Sequence, residues 1–242
     1  MGDNLETIDG IVLKQMDYKE SSKIIYLYTA KGKISVLVHG SNKPKSPYLN
    51  LVRVFSHVRL MVSGKSLKTL RDGEVLSYFS EISEDLDKYS YGMHLLEVIY
   101  YFSEHDHNHE KLYAFLLKIL VKMVETEDVA IYVMMAELKL LYLLGVQPFF
   151  KHCVHCNSEK GLRFSVKDGG MVCEKHESYS KYNASTIQLM MQLYYYDLQK
   201  PSELIYDKQS KIELRQLIDE YYAFHLNYQS RSRKMLRDML GY

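Results

Sequence analysis

Three cysteines and one histidine, Cys153, Cys156, Cys173 and His176, form two short knuckles: C-x2-C, a gap spanning 157 to 172, then C-x2-H. They use every cysteine in a chain of 242 residues. The spacing can bring four soft or borderline ligands to one point, the donor set of a tetrahedral Zn²⁺. Four protein ligands leave no open position for water or substrate, so one structural zinc ion is expected and a metalloenzyme is not. An odd cysteine count argues against a disulfide framework, and a redox C-x2-C pair would leave Cys173 and His176 without a use. His152 and His155 are alternatives for the fourth ligand, although His155 lies between two thiolates and is expected to point away. Asp168-Gly169-Gly170 is a turn signal, which makes 151–179 a hairpin with the metal at its base.

The residues before this segment change character once. Strands are expected at 10–15, 23–29 and 33–39, with a turn at Lys31-Gly32-Lys33, followed by an alternating run through Val52, Val54, Val58, Leu60 and Val62 and a last strand at 67–78. Five strands without a long helical period fit a small closed barrel. The OB-fold leads, with an SH3-like barrel as the alternative. From residue 81 the period becomes helical. Ser83 reads as an N-cap, with helices expected at 84–104, 110–125 and 128–144, and Gly145 as a stop. Helix resumes at about 185–199, and Ser210-x-x-Glu213 reads as a capping box for a last helix to about Leu226. The expected architecture is α+β: an OB-fold nucleic-acid-binding domain at 1–80, then a helical domain at 81–242 with the zinc hairpin inserted.

Charge separates along the chain. The formal net charge is +1, but residues 1–80 carry +5, residues 81–150 carry −7 and residues 151–242 carry +3. A basic first third beside an acidic second third implies different surfaces for different partners. The candidate DNA-contacting cations of the barrel region are Lys31, Lys33, Lys43, Lys45, Arg53, Lys65, Lys68 and Arg71. Lys43 and Lys45 flank Pro44 in a stiffened loop. Such cations suit phosphate backbones, and Tyr26, Tyr28, Tyr48 and Phe55 are candidates for base stacking, although any one aromatic in a strand more often fills the core. A second basic cluster holds Arg231, Arg233, Lys234 and Arg237. Lys118, Lys122 and Lys139 are candidate contacts for protein partners on the acidic helices. The His105–His109 stretch is expected to be an exposed loop. There is no P-loop, no G-x-S-x-G elbow, no H-E-x-x-H pair and no deaminase signature, so no catalytic role is expected. No membrane span or signal peptide is evident, and a soluble cytoplasmic protein is expected.

The ordered motifs resemble one family. Gly10-Ile11-Val12-Leu13-Lys14, Asp17-Tyr18-x-Glu20-Ser21-x-Lys23-Ile24-Ile25, Gly32-Lys33-Ile34-Ser35 and Gly40-x-x-Lys43-Pro44-Lys45-Ser46 are similar to the start of bacterial RecO proteins. Leu67-x-Thr69-Leu70-x-x-Gly73-Glu74, the knuckles and Ser230-Arg231-Ser232-Arg233 continue the resemblance to the end. It implies a DNA repair protein and recombination mediator, nucleoid-associated and without catalytic turnover. Such a protein binds single- and double-stranded DNA, anneals complementary strands, and works with RecR and single-stranded DNA-binding protein to help RecA load. Carried over by position, Lys43 and Lys45 contact DNA, and Cys153, Cys156, Cys173 and His176 hold zinc. The family's fourth ligand is commonly Cys where this chain has His176, and Asn42 stands where a cation is frequent. Two other readings start from the same residues: an RNA-binding barrel and zinc module, and a zinc-dependent hydrolase needing a displaceable metal-bound water.

Overall fold

The computed structural model describes residues 5–104, 108–176, 181–233 and 236. The chain divides into two compact units, Met1–Val129 and Ala130–Tyr242. Five strands form the first unit's barrel: β1 (Glu6–Tyr18), β2 (Ser22–Thr29), β3 (Gly32–Val38), β4 (His57–Ser63) and β5 (Leu67–Ser77). They close in the order β1-β2-β3-β5-β4, with every neighbouring pair antiparallel except β3 and β5. This is the OB-fold barrel.

Barrel closure explains why β1 is longer than its apolar pattern suggests. Residues 6–11 pair with β4 and residues 11–18 pair with β2, with a register shift between Val12 and Lys14. The extra residue bends the strand so that it can serve two neighbours. Val12, Ile25, Leu27, Val36, Val38, Val58, Leu60 and Val62 fill the interior. Val52 and Val54, expected to open the fourth strand, instead precede it in turns. Val52 is nevertheless buried against the barrel core. The loop is stitched to β1 through Phe55 N–H to Val12 O at 3.0 Å and Val12 N–H to Ser56 O at 2.9 Å.

Three helices complete the first unit: α1 (Ser80–Glu84), α2 (Leu86–Phe102) and α3 (His109–Glu125). The single helix expected at 84–104 is interrupted at Asp85, whose extended backbone (φ −109°, ψ 126°) breaks the turn. Asp85, rather than Ser83, caps α2 by accepting a hydrogen bond from Lys88 N–H at 2.8 Å. Helix α2 approaches the buried Phe55, and a Cβ on Gly92 would lie 2.7 Å from the Phe55 ring.

The second unit combines α4 (Val129–Leu143, from Ala130 onward), a hairpin of β6 (Leu162–Ser165) and β7 (Gly170–Cys173), α5 (Ala184–Tyr195) and α6 (Lys208–Leu226). Gly145 and Gly169 hold the left-handed conformations of their turns, at φ 73° and 68°. The capping box of α6 is formed by Asp207 and Ser210, one turn earlier than expected. Glu213 instead reaches the start of α5, accepting hydrogen bonds from the Asn183 side chain at 2.7 Å and Thr186 Oγ1 at 2.8 Å. No helix among the described residues is long and apolar enough to cross a membrane.

Candidate metal centre and nucleic-acid surface

The two knuckles meet at the base of the hairpin. One ligand atom from each of Cys153, Cys156, Cys173 and His176 lies within 4.8 Å of the other three. Cys156 Sγ is 3.6 Å from Cys173 Sγ, and His176 Nδ1 is 3.6 Å from Cys153 Sγ and 3.3 Å from Cys173 Sγ. A tetrahedral ion with metal–sulfur bonds of about 2.3 Å requires donor spacings of about 3.7 Å, so the cluster fits one ion. The sulfurs are free cysteines, with Cys153 and Cys173 buried and Cys156 exposed.

The backbone prepares this set for metal. Burial opposes charge on the Cys153 thiol, yet backbone N–H groups of Cys173, His155 and Cys156, together with the Cys156 thiol, hold it down to about 6. The Ser158 N–H favours charge on Cys156, but burial, the two neighbouring thiols and the charge on Cys153 push it up. Of these two thiols, Cys153 is therefore the more acidic. The other two histidines have different tasks. His155 Nε2 lies 3.0 Å from Asp168 Oδ1, linking the first knuckle to the hairpin turn. His152 Nδ1 faces Cys153 O at 3.2 Å, and its ring packs on Phe149.

The ten candidate DNA-binding cations separate into two groups. Lys31, Lys43, Lys45, Arg53 and Lys65 are exposed, with no side-chain partner among the described residues. Because β1, β2 and β3 alternate in direction, the loop carrying Lys43 and Lys45 leaves the barrel at the end of the β1–β2 turn. Lys31 and Lys65 leave at the opposite end. Asn42 ties the first loop to the β1–β2 connection, donating from its side chain to Asp17 Oδ1 at 2.9 Å and from its N–H to Ser21 O at 3.0 Å.

The other group is occupied. Lys33 pairs with Glu104 at 2.9 Å, donates to Tyr100 O at 3.0 Å and sits 4.0 Å from the Tyr100 ring centre. Lys68 pairs with Glu6, and Arg71 Nε donates to Ser63 Oγ at 2.8 Å. Arg231 is exposed beside the buried Arg233. Arg233 donates to Glu137 Oε1 at 2.5 Å and stacks on Tyr222, 4.7 Å from the ring centre. Its Nε lies 3.1 Å from Asp219 Oδ1, an ion contact without hydrogen-bond alignment. Arg233 is therefore an internal structural cation, and desolvation is the reason it needs two carboxylates. Lys234, Arg237 and residues 105–107 lie outside the described residues.

Of the candidate stacking aromatics, Tyr28 and Phe55 are fully buried, while Tyr26 and Tyr48 are half-buried. Lys14, absent from the cation set above, lies opposite Tyr26 across β1–β2 and rests 5.9 Å from its ring centre and 5.0 Å from that of Tyr100. Its place in β1, paired with an aromatic, is the signal that could have found it.

Comparison with known proteins matches both units' sequences. The family described as "Recombination protein O N terminal" matches residues 1–79, and "Recombination protein O C terminal" matches residues 83–234. The chain belongs to the RecO family. DNA repair protein RecO of Bacillus subtilis (strain 168) is 31% identical over 242 residues, covering 97% of this chain and 95% of its own. The RecO of Bacillus cytotoxicus is 28% identical and that of Bacillus cereus (strain AH187) 27%, each over 97% of both chains. A solved aspartyl tRNA synthetase from Entamoeba histolytica aligns at 10% identity over all of this chain and 56% of its own; its TM-score of 0.26 does not establish a shared fold.

Proposed function

We propose that this RecO-family chain is a DNA-binding recombination mediator in DNA repair, acting through its OB barrel at about 1–80. The supporting observation is a closed barrel with exposed cations at both ends that no carboxylate neutralises among the described residues. Phosphates can bind there without first breaking an internal ion pair. A seven-residue strand such as β3 spans about 23 Å, so a single strand touching both ends would lie across the barrel for several nucleotides.

On this reading the protein makes and breaks no bonds. Lys31, Lys43, Lys45, Arg53 and Lys65 neutralise phosphates and lower the repulsion between two strands brought together, which is the physical requirement for annealing. RecR and single-stranded DNA-binding protein are its partners, and RecA loading follows indirectly. The metal is one structural Zn²⁺ that holds the hairpin. The chain works in the cytoplasm at the nucleoid.

The test is a salt titration of oligonucleotide binding. Each single-strand phosphate contact should add about −0.7 to the log–log slope. Replacing Lys43 and Lys45 with Glu should flatten the slope by about two contacts and weaken binding alike for all sequences. An unchanged slope in that variant, or stronger binding to RNA than to DNA of the same sequence, would contradict the proposal.

A further inference from the structure

The four residues of the candidate metal centre differ in their access to solvent. Cys153 and Cys173 are buried, at 0% and 4% exposure, and pack with Val172 and Leu162 in a small apolar cluster. Cys156 and His176 are exposed. Each knuckle thus supplies one ligand to a closed side of the site and one to an open side. Protein screens the closed side, whereas on the open side a sulfur and an imidazole face water.

Zinc coordination holds a cysteine as its thiolate, the nucleophilic form, and oxidants select the thiolate that solvent reaches. Of the chain's three cysteines, Cys156 alone is exposed. Its Sγ lies 3.6 Å from Cys173 Sγ in the other knuckle, so a second sulfur stands beside any oxidised form of the first. The number of ligands then decides the outcome. A disulfide takes two of the three cysteines and leaves Cys153 and His176. Two donors cannot complete the tetrahedral set of a structural zinc ion.

We propose that Cys156 is a site of oxidation by hydrogen peroxide, and that its oxidation joins it to Cys173 and releases the metal. In the first step the Cys156 sulfur attacks one peroxide oxygen and the O–O bond breaks. The sulfur becomes a sulfenic acid, and the departing hydroxide takes a proton from solvent to become water. In the second step the Cys173 sulfur attacks the Cys156 sulfur. The S–S bond forms, the S–O bond breaks, and the hydroxide that leaves takes a second proton from solvent. Two electrons pass from the sulfur pair to the peroxide, giving one disulfide and two waters. This inference rests on the zinc reading of the site and is independent of the DNA-binding proposal.

The test starts from the full chain, with its zinc counted by atomic absorption and about one equivalent expected. Excess hydrogen peroxide should transfer that zinc to the dye 4-(2-pyridylazo)resorcinol. The denatured product should be lighter than the reduced chain by two hydrogen atoms, and peptide mapping without reductant should find Cys156 joined to Cys173. A thiol reductant with added zinc should restore the metal. Cys156→His keeps four donors and should release zinc at least about tenfold more slowly under the same peroxide. If Cys156→His does not hold zinc, the disulfide map and the release from the unaltered chain decide. A chain that takes up no zinc overturns the zinc reading and this proposal with it. Zinc retained through the peroxide treatment, a disulfide that includes Cys153, or equal release from Cys156→His and the unaltered chain overturns this proposal alone.

Discussion

Glu137 lies on α4 with its side chain fully buried, and two guanidiniums converge on it. Arg215 makes a bidentate contact and Arg233 a third hydrogen bond. Asp219 closes the cluster at 2.7 Å from Arg215 Nη2, and Tyr222 donates to Glu137 O at 2.9 Å. Removing one member leaves uncompensated charge in a dry site, so Glu137→Ala should cost about 3–5 kcal/mol in urea unfolding. Oligonucleotide binding by the barrel should persist in native buffer; loss of binding without loss of stability would place these arginines on DNA instead.

A half-buried polar pair lies on the barrel. His57 Nε2 meets Tyr113 Oη at 2.7 Å, and Arg59 grips Asp9 with two bonds of 2.8 Å. Burial lowers the His57 pKa against the attraction of Asp9, so the folded protein keeps this ring neutral where the unfolded chain takes up a proton. Stability should therefore fall as pH drops below about 6.5, and continue falling until the folded imidazole titrates. A ring pKa at or above 6.5 by NMR would refute this. Asp9 works at lower pH: its hydrogen bond from Arg59 depresses its pKa, giving stability that is present above the carboxylate range and lost as pH falls through the depressed value.

Elements are legible from sequence where one local rule acts and less so where a distant partner decides. The hairpin turn at Gly169, the stop at Gly145 and the apolar run of α4 follow directly from residue chemistry. The α6 start does not, because Asp207 and Ser210 satisfy each other and release Glu213 for α5. Ser210-x-x-Glu213 and Asp207-x-x-Ser210 both offer capping groups, and only packing selects between them. Gly92 is a further case: nothing in α2 alone requires glycine, but the Phe55 ring occupies the space of a Cβ. Gly92→Ala gains up to about 1 kcal/mol of helix propensity and loses about 1–3 kcal/mol to overpacking. A net loss of about 1 kcal/mol in unfolding free energy by denaturant titration is expected, and a stabilised variant would show that Phe55 yields freely.

For the whole molecule, the candidate metal site and the barrel belong to different compact units. Apparent binding energies of structural zinc in small peptides reach about 10–16 kcal/mol, far above what a hairpin of two four-residue strands can supply. Chelation should therefore melt the hairpin, lower the thermal midpoint and lose about one equivalent of metal. Binding of oligonucleotides by the barrel should change by less than about threefold; a larger loss would make the metal part of the DNA-binding surface.

The sequence by itself determined the barrel, the helical remainder, the hairpin and the four-ligand cluster, because period, turn chemistry and ligand spacing act over short stretches of chain. Tertiary structure decided which cations remain available. Lys31, Lys43 and Lys45 stay in solvent, whereas Lys33 and Lys68 meet carboxylates, and Arg233 turns inward to Glu137, 96 residues away in sequence. A lysine or arginine has the same charge in either setting. Its role depends on whether folding brings a carboxylate within about 4 Å, and that contact has no local signature in the chain.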